Sequence, residues 1–311
     1  MAAVRTFTAR VLLAALTVWM LASGVFFSTR LLPGDPAALV LGDLAGAEER
    51  AALRAKLHLD EPLAAQYVRF ARSVVTLELG PSLARPGTTA LARVKDALPP
   101  TARLAGAAVL LGSLAGLVAA VLSVGPWLGE GRRFVHGTVI AIAATPLLAL
   151  APLATWLLAV RTRLVPLPGD PSAGGAGLLF AAALLAVPLG AQIARVGRAA
   201  LLDLGRAPFL DVARAKGATA ARTFVVHGLP AASAPIVAVI ATQLGALLGG
   251  AVVLERLFER PGLGTLMLEA YATRDLPVLE GAILASGALF VGTQALAAAL
   301  HAVIDPRVRG A

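Results

Sequence analysis

The amino-acid sequence predicts an all-α integral membrane protein with six transmembrane helices, on three observations. Hydrophobic residues occupy 58% of the 311 positions and charged residues only 14%, against about 25% charged residues in an ordinary soluble domain. Six long runs contain no Asp, Glu, Lys or Arg, and about 20 apolar residues in a helix cross a bilayer core. The basic residues lie between these runs rather than in one patch, so the net charge of +9 indicates membrane orientation and not nucleic acid binding.

The predicted spans follow one another along almost the whole chain, at residues 11–29, 104–124, 134–160, 177–194, 231–254 and 281–304. The first span is long for a secretion signal and no convincing cleavage site follows it, so we interpret it as an uncleaved helix. Prolines inside later spans, such as Pro146, predict kinks. Small-residue pairs such as Gly112 and Gly116 predict close contacts between helices.

The arrangement of basic residues predicts that both termini lie on the cytoplasmic side, because lysine and arginine near span ends are retained there. The residues on that side are Arg5, Arg10, Arg132, Arg133, Arg195, Arg198, Arg206, Arg214, Lys216, Arg222, Arg307 and Arg309. The chain is then predicted to divide into an N-terminus with the first helix (1–29), a folded external region (30–100) and a five-helix core (101–311).

Two helical stretches are predicted within the external region. One covers residues 47–58, and the other is amphipathic and contains Tyr67, Phe70 and Val74. Pro62 lies between them and marks the start of the second stretch. We expect this region to cap the outer face of the membrane domain.

The most informative stretch is the loop between the fourth and fifth spans, residues 195–230. It is too long for a simple connection and is rich in alanine and arginine, which favours a folded docking element. Its pattern predicts a short helix, a glycine turn and a second short helix at about 219–227 that leads into the fifth span.

The first short helix of this loop is predicted at residues 209–217. Asp211 lies near its N-terminal end, and Arg214 and Lys216 lie near its C-terminal end, as the helix dipole favours. Gly217 is predicted to end the helix in a left-handed turn, a conformation that glycine adopts without strain.

These motifs resemble those of the permease subunits of binding-protein-dependent ATP-binding cassette (ABC) importers, in particular the peptide and nickel branch. The cytoplasmic signature of that family is an acidic residue and two small residues, then a glycine, then Leu-Pro. Asp211-Val-Ala213, Gly217 and Leu229-Pro230 stand at these places here. The chain departs from the signature with Asp211 where Glu is commoner, Val212 where Ala is expected, and His227 at an aliphatic position.

The resemblance extends over nearly the whole chain. Further matching motifs are Arg30-Leu-Leu-Pro-Gly-Asp-Pro36, Leu57-His-Leu-Asp-Glu-Pro-Leu63 with Gln66-Tyr67, Pro261-Gly-Leu-Gly264 with Arg274-Asp275 and Pro277, and Ala302-Val-Ile-Asp-Pro-Arg307. Two stretches depart from the family pattern, Leu77-Glu-Leu-Gly80 and Thr145-Pro-Leu-Leu148.

The resemblance implies that the short helix couples this chain to a cytoplasmic ATPase. Phe209 and Val212, spaced i and i+3, are the candidate apolar contacts. The full set of implied coupling residues is Phe209, Asp211, Val212, Ala213, Arg214, Lys216, Gly217 and Pro230.

The implied partners are a second homologous permease, two cytoplasmic ATP-binding subunits and an extracytoplasmic substrate-binding protein, around an inner-membrane pore. The sequence has no GxxxxGK[ST] motif, so ATP is expected to bind to the partner subunits and this chain is expected to need no cofactor. It has no cysteine, and its histidines show no metal-ligand spacing, so neither a metal site nor an enzyme is predicted. The pattern leaves open whether the solute is a dipeptide, an oligopeptide, a nickel chelate or a glutathione-like molecule.

Other classes remain open on the residues alone. A secondary transporter driven by an ion gradient would need buried carboxylates or broken helices near mid-membrane, and Glu280 is the one carboxylate in or beside a span. An intramembrane hydrolase would need a nucleophile beside a base, and no GxSxG context is present. The short helix itself has an alternative, an amphipathic helix bound to anionic lipid. Polar side chains in or beside the spans are expected to face protein or water: His136, Gln192, Gln243, Glu280 and Gln294.

Overall fold

A computed structural model of the chain describes residues 2–31, 46–125, 127–205 and 207–304. The helices are α1 (Ala2–Leu31), α2 (Ala47–Lys56), α3 (Leu63–Thr76), α4 (Ala90–Val124), α5 (Gly131–Ala144), α6 (Leu147–Thr155), α7 (Gly174–Leu204), α8 (Pro208–Ala215), α9 (Ala220–Arg222), α10 (Leu229–Ala231), α11 (Ser233–Leu257), α12 (Leu263–Ala272) and α13 (Leu276–Ile304). The motif after Leu31, Arg206 and the tail after Ile304, with Arg307 and Arg309, lie outside the described residues.

The predicted all-α membrane architecture is confirmed. Five of the described helices are long and apolar enough to span a membrane, and a bent helix pair brings the number to six when it is counted as one span. Several helices exceed their predicted spans: α4 begins at Ala90 rather than at 104, and α7 ends at Leu204 rather than at 194. Hydropathy detects only the part of a helix that is apolar, so the polar extensions were missed.

The predicted third span, 134–160, is not one straight helix. Helices α5 and α6 are bent by 106° at a break over Thr145 and Pro146. Thr145 is extended, with φ −90° and ψ 120°, because a proline ring disfavours the helical conformation in the residue before it. The Pro146 carbonyl then accepts the amide of Leu150 at 2.9 Å and starts α6. The expected kink is therefore a sharp break.

The chain forms two compact units, Met1–Thr101 with Arg260–Val291 and Ala102–Glu259 with Gly292–Ala311. The first unit contains the two helices predicted for the external region, α2 and α3. Phe26 of α1 is fully buried and packs against Phe70 and Tyr67 of α3, with ring centroids 5.2 and 5.4 Å apart. Ser23 shares a hydrogen bond of 2.7 Å with the Tyr67 hydroxyl, so the amphipathic face of α3 is held on α1.

Two buried carboxylates hold the first unit together. Asp275 is fully buried and accepts hydrogen bonds from the Ser82 hydroxyl and the Ala84 amide, with the Arg93 guanidinium 3.7 Å away. Glu280, at the start of α13, pairs with Arg30. Both carboxylates have cationic partners, as a buried charge requires.

Helix α7 forms the centre of the second unit and packs against α5, α6 and α11. Its crossing with α4 is a contact between backbones: a Cβ built on Gly116 would lie 2.6 Å from the carbonyl oxygen of Gly190, and one on Gly112 would lie 2.9 Å from that of Ala186. The predicted close contact at the Gly112 and Gly116 pair is therefore present.

Candidate functional site

The predicted loop 195–230 is more helical than the sequence indicated. Because α7 continues to Leu204, the connection consists of a short turn, helix α8, a second turn at 216–219, and a helical segment that resumes at Ala220. We call α8 (Pro208–Ala215) the docking helix. The predicted order of helix, glycine turn and helix is confirmed.

The docking helix presents apolar side chains to solvent. Phe209 is 45% exposed and Val212 is 54% exposed, although both are large hydrophobic residues. Leu210 points the other way and is 4% exposed. The helix packs against the π-helical turn at Thr223–Gly228, which holds it in place while Phe209 and Val212 stay exposed. An exposed apolar pair on a short, anchored helix is typical of a surface that binds a partner.

Charged residues are arranged along the same helix as predicted. Asp211 lies in the first turn and accepts a hydrogen bond of 3.0 Å from Arg214, at i and i+3. Both side chains are exposed, so the pair contributes only about 0.3–0.5 kcal/mol to helix stability. Lys216 is the exposed C-terminal cap, where a cation favours the helix dipole.

Gly217 ends the docking helix in a Schellman motif. Its φ is +84°, its amide donates to the Arg214 carbonyl at 2.9 Å, and the Ala218 amide donates to the Ala213 carbonyl at 3.1 Å. A Cβ at Gly217 would meet no atom within 4 Å, so the positive φ and not crowding favours glycine here. The left-handed turn predicted from the sequence is confirmed.

A π-helical turn at Thr223–Gly228, here the π-turn, follows the second connection. The Thr219 hydroxyl caps the segment by accepting the Arg222 amide at 3.3 Å. Pro230 follows the π-turn after one residue, Leu229. Proline has no amide to continue an α-helix and clashes with the carbonyl four residues earlier. The widened turn accommodates this position, and π-turns are frequently found at functional sites.

The docking helix and the π-turn line an open cavity of about 440 Å³. Its lining residues are Phe209, Val212, Ala213, Lys216, Gly217, Ala218, Arg222 and His227. Five of the eight predicted coupling residues therefore meet at one surface; Asp211 and Arg214 lie on the same helix, and Pro230 lies beyond the π-turn. The surface is apolar where Phe209 and Val212 lie and basic at Lys216 and Arg222.

Sequence reasoning missed an aromatic contact beside this surface. Trp127, in the turn between α4 and α5, packs edge-to-face on Phe224 of the π-turn, with ring centroids 5.6 Å apart and planes at 89°. This contact places the turn before Arg132 and Arg133 at the same end of the second unit as the docking helix. No spacing rule connects two aromatic residues so far apart in the chain, so the sequence carried no signal for it.

The described residues hold no group of three or more His, Cys, Asp or Glu side chains that could bind a metal ion. The docking helix and the cavity beside it likewise bring together no nucleophile, base and oxyanion donor of the kind that catalysis requires.

Comparison with known proteins shows similarity along almost the whole chain. The model of the family "binding-protein-dependent transport system inner membrane component" matches residues 108–310, and that of the N-terminal part of such membrane components matches residues 3–85. A Sinorhizobium fredii protein named probable peptide ABC transporter permease protein y4tP is 30% identical over 295 residues, 92% of this chain and 93% of that one. The glutathione transport system permease protein GsiC of Escherichia coli is 31% identical over 297 residues, 94% of this chain and 95% of its own.

Proposed function

Because this chain belongs to the binding-protein-dependent transport system inner membrane component family, and is thus a permease subunit of an ABC importer, we propose that its docking helix receives the cytoplasmic ATPase. The chain is a non-catalytic, multi-pass inner-membrane protein, and the family implies ATPase and substrate-binding protein partners. The observation that carries the proposal is the exposed Phe209 and Val212 pair on a helix anchored from behind by Leu210.

The docking helix supplies both an apolar and an electrostatic contribution. An aromatic side chain that enters a partner's pocket contributes more binding free energy than the contacts around it. Lys216 and Arg222 at the cavity favour a partner groove with acidic residues at its edge. The ATPase surface that fits this permease therefore has an apolar floor and a negatively charged rim. Gly217 fixes the direction in which the helix meets that groove.

We propose the same assembly that the family resemblance implied: a second permease to complete the pore, two ATP-binding subunits, and an extracytoplasmic binding protein. Both termini and the docking helix lie on the cytoplasmic side in this proposal, and α2 and α3 lie on the outer side. The positions of Arg132, Arg133, Arg195 and Arg198 support this orientation. Relatives named for peptides and for glutathione support a small peptide as the solute.

The ATPase contact is tested by Phe209→Asp in the assembled importer. A carboxylate at the apolar contact should abolish copurification of the ATPase subunits and solute uptake while the permease remains inserted in the membrane. Val75→Asp is the matched control, because Val75 is also an exposed apolar residue, 74% exposed, but lies on α3 in the other unit. Retention of the ATPase subunits by Phe209→Asp would refute the assignment.

Orientation is tested with single cysteines, because the native chain has none. Lys216→Cys and Arg256→Cys replace exposed side chains at the two predicted faces. A membrane-impermeant maleimide should label position 256 in intact cells and position 216 only after the membrane is opened. Labelling of position 216 in intact cells would reverse the proposed topology.

A further inference from the structure

A tryptophan ring closes the turn that follows α4. The Trp127 side chain folds back over Gly125, where an added Cβ would lie 2.2 Å from the ring. Glycine is therefore the residue that allows the ring to lie on the backbone at this place. Trp127 is nevertheless 50% exposed, so burial of the ring in a core does not explain its position.

The partner of Trp127 in this contact is a residue of the π-turn. Phe224 meets the Trp127 ring edge-to-face, a geometry that aromatic pairs favour. Phe224 also packs on the main hydrophobic core of the second unit, and its neighbour Thr223 is 2% exposed. The docking helix packs on the same π-turn. The π-turn thus contacts both the docking helix and Trp127.

A second contact ties the end of α4 to α7, the helix that precedes the docking helix. The Arg198 guanidinium of α7 donates a hydrogen bond to the Ser123 carbonyl, one residue before α4 ends at Val124. A cation is favourable there because the unpaired carbonyls at a helix C-terminus carry partial negative charge. The end of α4 is therefore held by α7 and, through Trp127, by the π-turn.

We propose that Trp127 is a positioning residue that carries movement of the docking helix to α4. This inference rests on the proposed function, because it takes the docking helix as the point where the ATPase acts. Along the chain, the docking helix connects to α9 and the π-turn through the non-helical residues 216–219. The packing of α8 on the π-turn, and of the π-turn on Trp127, gives a route through space to a different transmembrane helix.

The inference is tested by Trp127→Ala in the reconstituted importer, with uptake per ATP hydrolysed as the readout. An aromatic pair of this kind is expected to shift the equilibrium between two states by about 2- to 12-fold. Uptake per ATP should fall by that factor in Trp127→Ala, while copurification of the ATPase subunits is unchanged. Trp127→Phe keeps an aromatic ring and should retain most of the coupling. Trp156→Ala is the control, because Trp156 is 58% exposed in the same unit and has no described aromatic partner.

The outcomes separate this inference from the proposed function. Unchanged uptake per ATP in Trp127→Ala, or an equal loss in Trp156→Ala, would overturn the role of Trp127. Loss of ATPase copurification in Trp127→Ala would also overturn it, because the residue would then belong to the docking surface. A parallel Phe209→Asp variant that keeps its ATPase subunits would refute the proposed function instead. The route would be supported if Phe224→Ala lowered uptake per ATP as much as Trp127→Ala does, and if the double variant lowered it no further.

Discussion

Replacing Gly217 with alanine should strain the left-handed backbone at that position without creating a clash with any neighbouring atom. The residue has a φ of +84°, and no atom lies within 4 Å of an added Cβ, so strain is the whole effect on the folded protein. An L-residue in the left-handed region costs about 1–2 kcal/mol. At about 1.4 kcal/mol for each factor of ten, the docking-competent conformation should become about 5- to 30-fold rarer. The apparent affinity for the ATPase subunits should fall by the same factor.

The assay is a titration of purified ATPase onto the solubilised permease, followed by uptake in vesicles. Gly217→Asn should lose little, because asparagine tolerates the left-handed turn better than other side chains. Gly217→Pro should abolish binding, because proline fixes φ near −65° and removes the amide that donates to the Arg214 carbonyl.

A matched control exists in the other unit. Gly87 has a φ of +85° and also meets no atom within 4 Å, so Gly87→Ala introduces the same strain away from the docking helix. It should lower thermal stability without changing ATPase affinity. If Gly217→Ala bound the ATPase as tightly as the native chain does, or if Gly87→Ala weakened binding equally, the reasoning about the turn would be refuted.

Three further perturbations address the rest of the molecule. Asp275→Asn removes a fully buried carboxylate that accepts a hydrogen bond from Ser82. Thermal unfolding should show that the free energy of unfolding falls by about 3–5 kcal/mol. A fall of less than about 1 kcal/mol would contradict the assigned hydrogen-bond network. Gly116→Leu places a side chain where a Cβ alone would lie 2.6 Å from the Gly190 carbonyl oxygen. The free energy of unfolding should fall by about 1–3 kcal/mol, measured as a lower melting temperature. A native melting temperature would argue against the crossing. The pKa of Glu61 is lowered from its usual 4.5, mainly by the hydrogen bond from Arg69 on α3. This pair should therefore stabilise the protein fully above pH 4.5, and the stabilisation should be lost as the pH falls through the lower pKa of the folded state. Glu61→Gln should remove that pH dependence from melting curves.

Local rules account for much of the candidate site. Gly217 ends the docking helix where its permissive backbone predicted, and Asp211 and Arg214 lie at the ends that the helix dipole favours. Phe209, for which an apolar contact with a partner was predicted, lies at the surface of the helix. Each of these features depends on residues fewer than ten positions apart, which is the range over which sequence patterns specify structure.

Other features depend on the fold as a whole. Pro146 predicted a kink, but no local rule gives the size of the bend, which is 106°. The extension of α7 past residue 194 was missed because its polar end still forms a good helix. The contact of Trp127 with Phe224 joins two distant turns, and no local preference of either residue specifies it.

The crossing of α4 and α7 has a consequence for the transport cycle. Where side chains fill the space between two helices, a change of rotamer lets one helix slide or tilt against the other. At Gly112, Gly116 and Gly190 the main chains approach closely, with the side chains of Leu189 and Ile193 packed beside them, so little space is left for rotamer changes. We therefore expect α4 and α7 to shift little against each other at this crossing during transport, so that larger movements take place where helices meet through side chains.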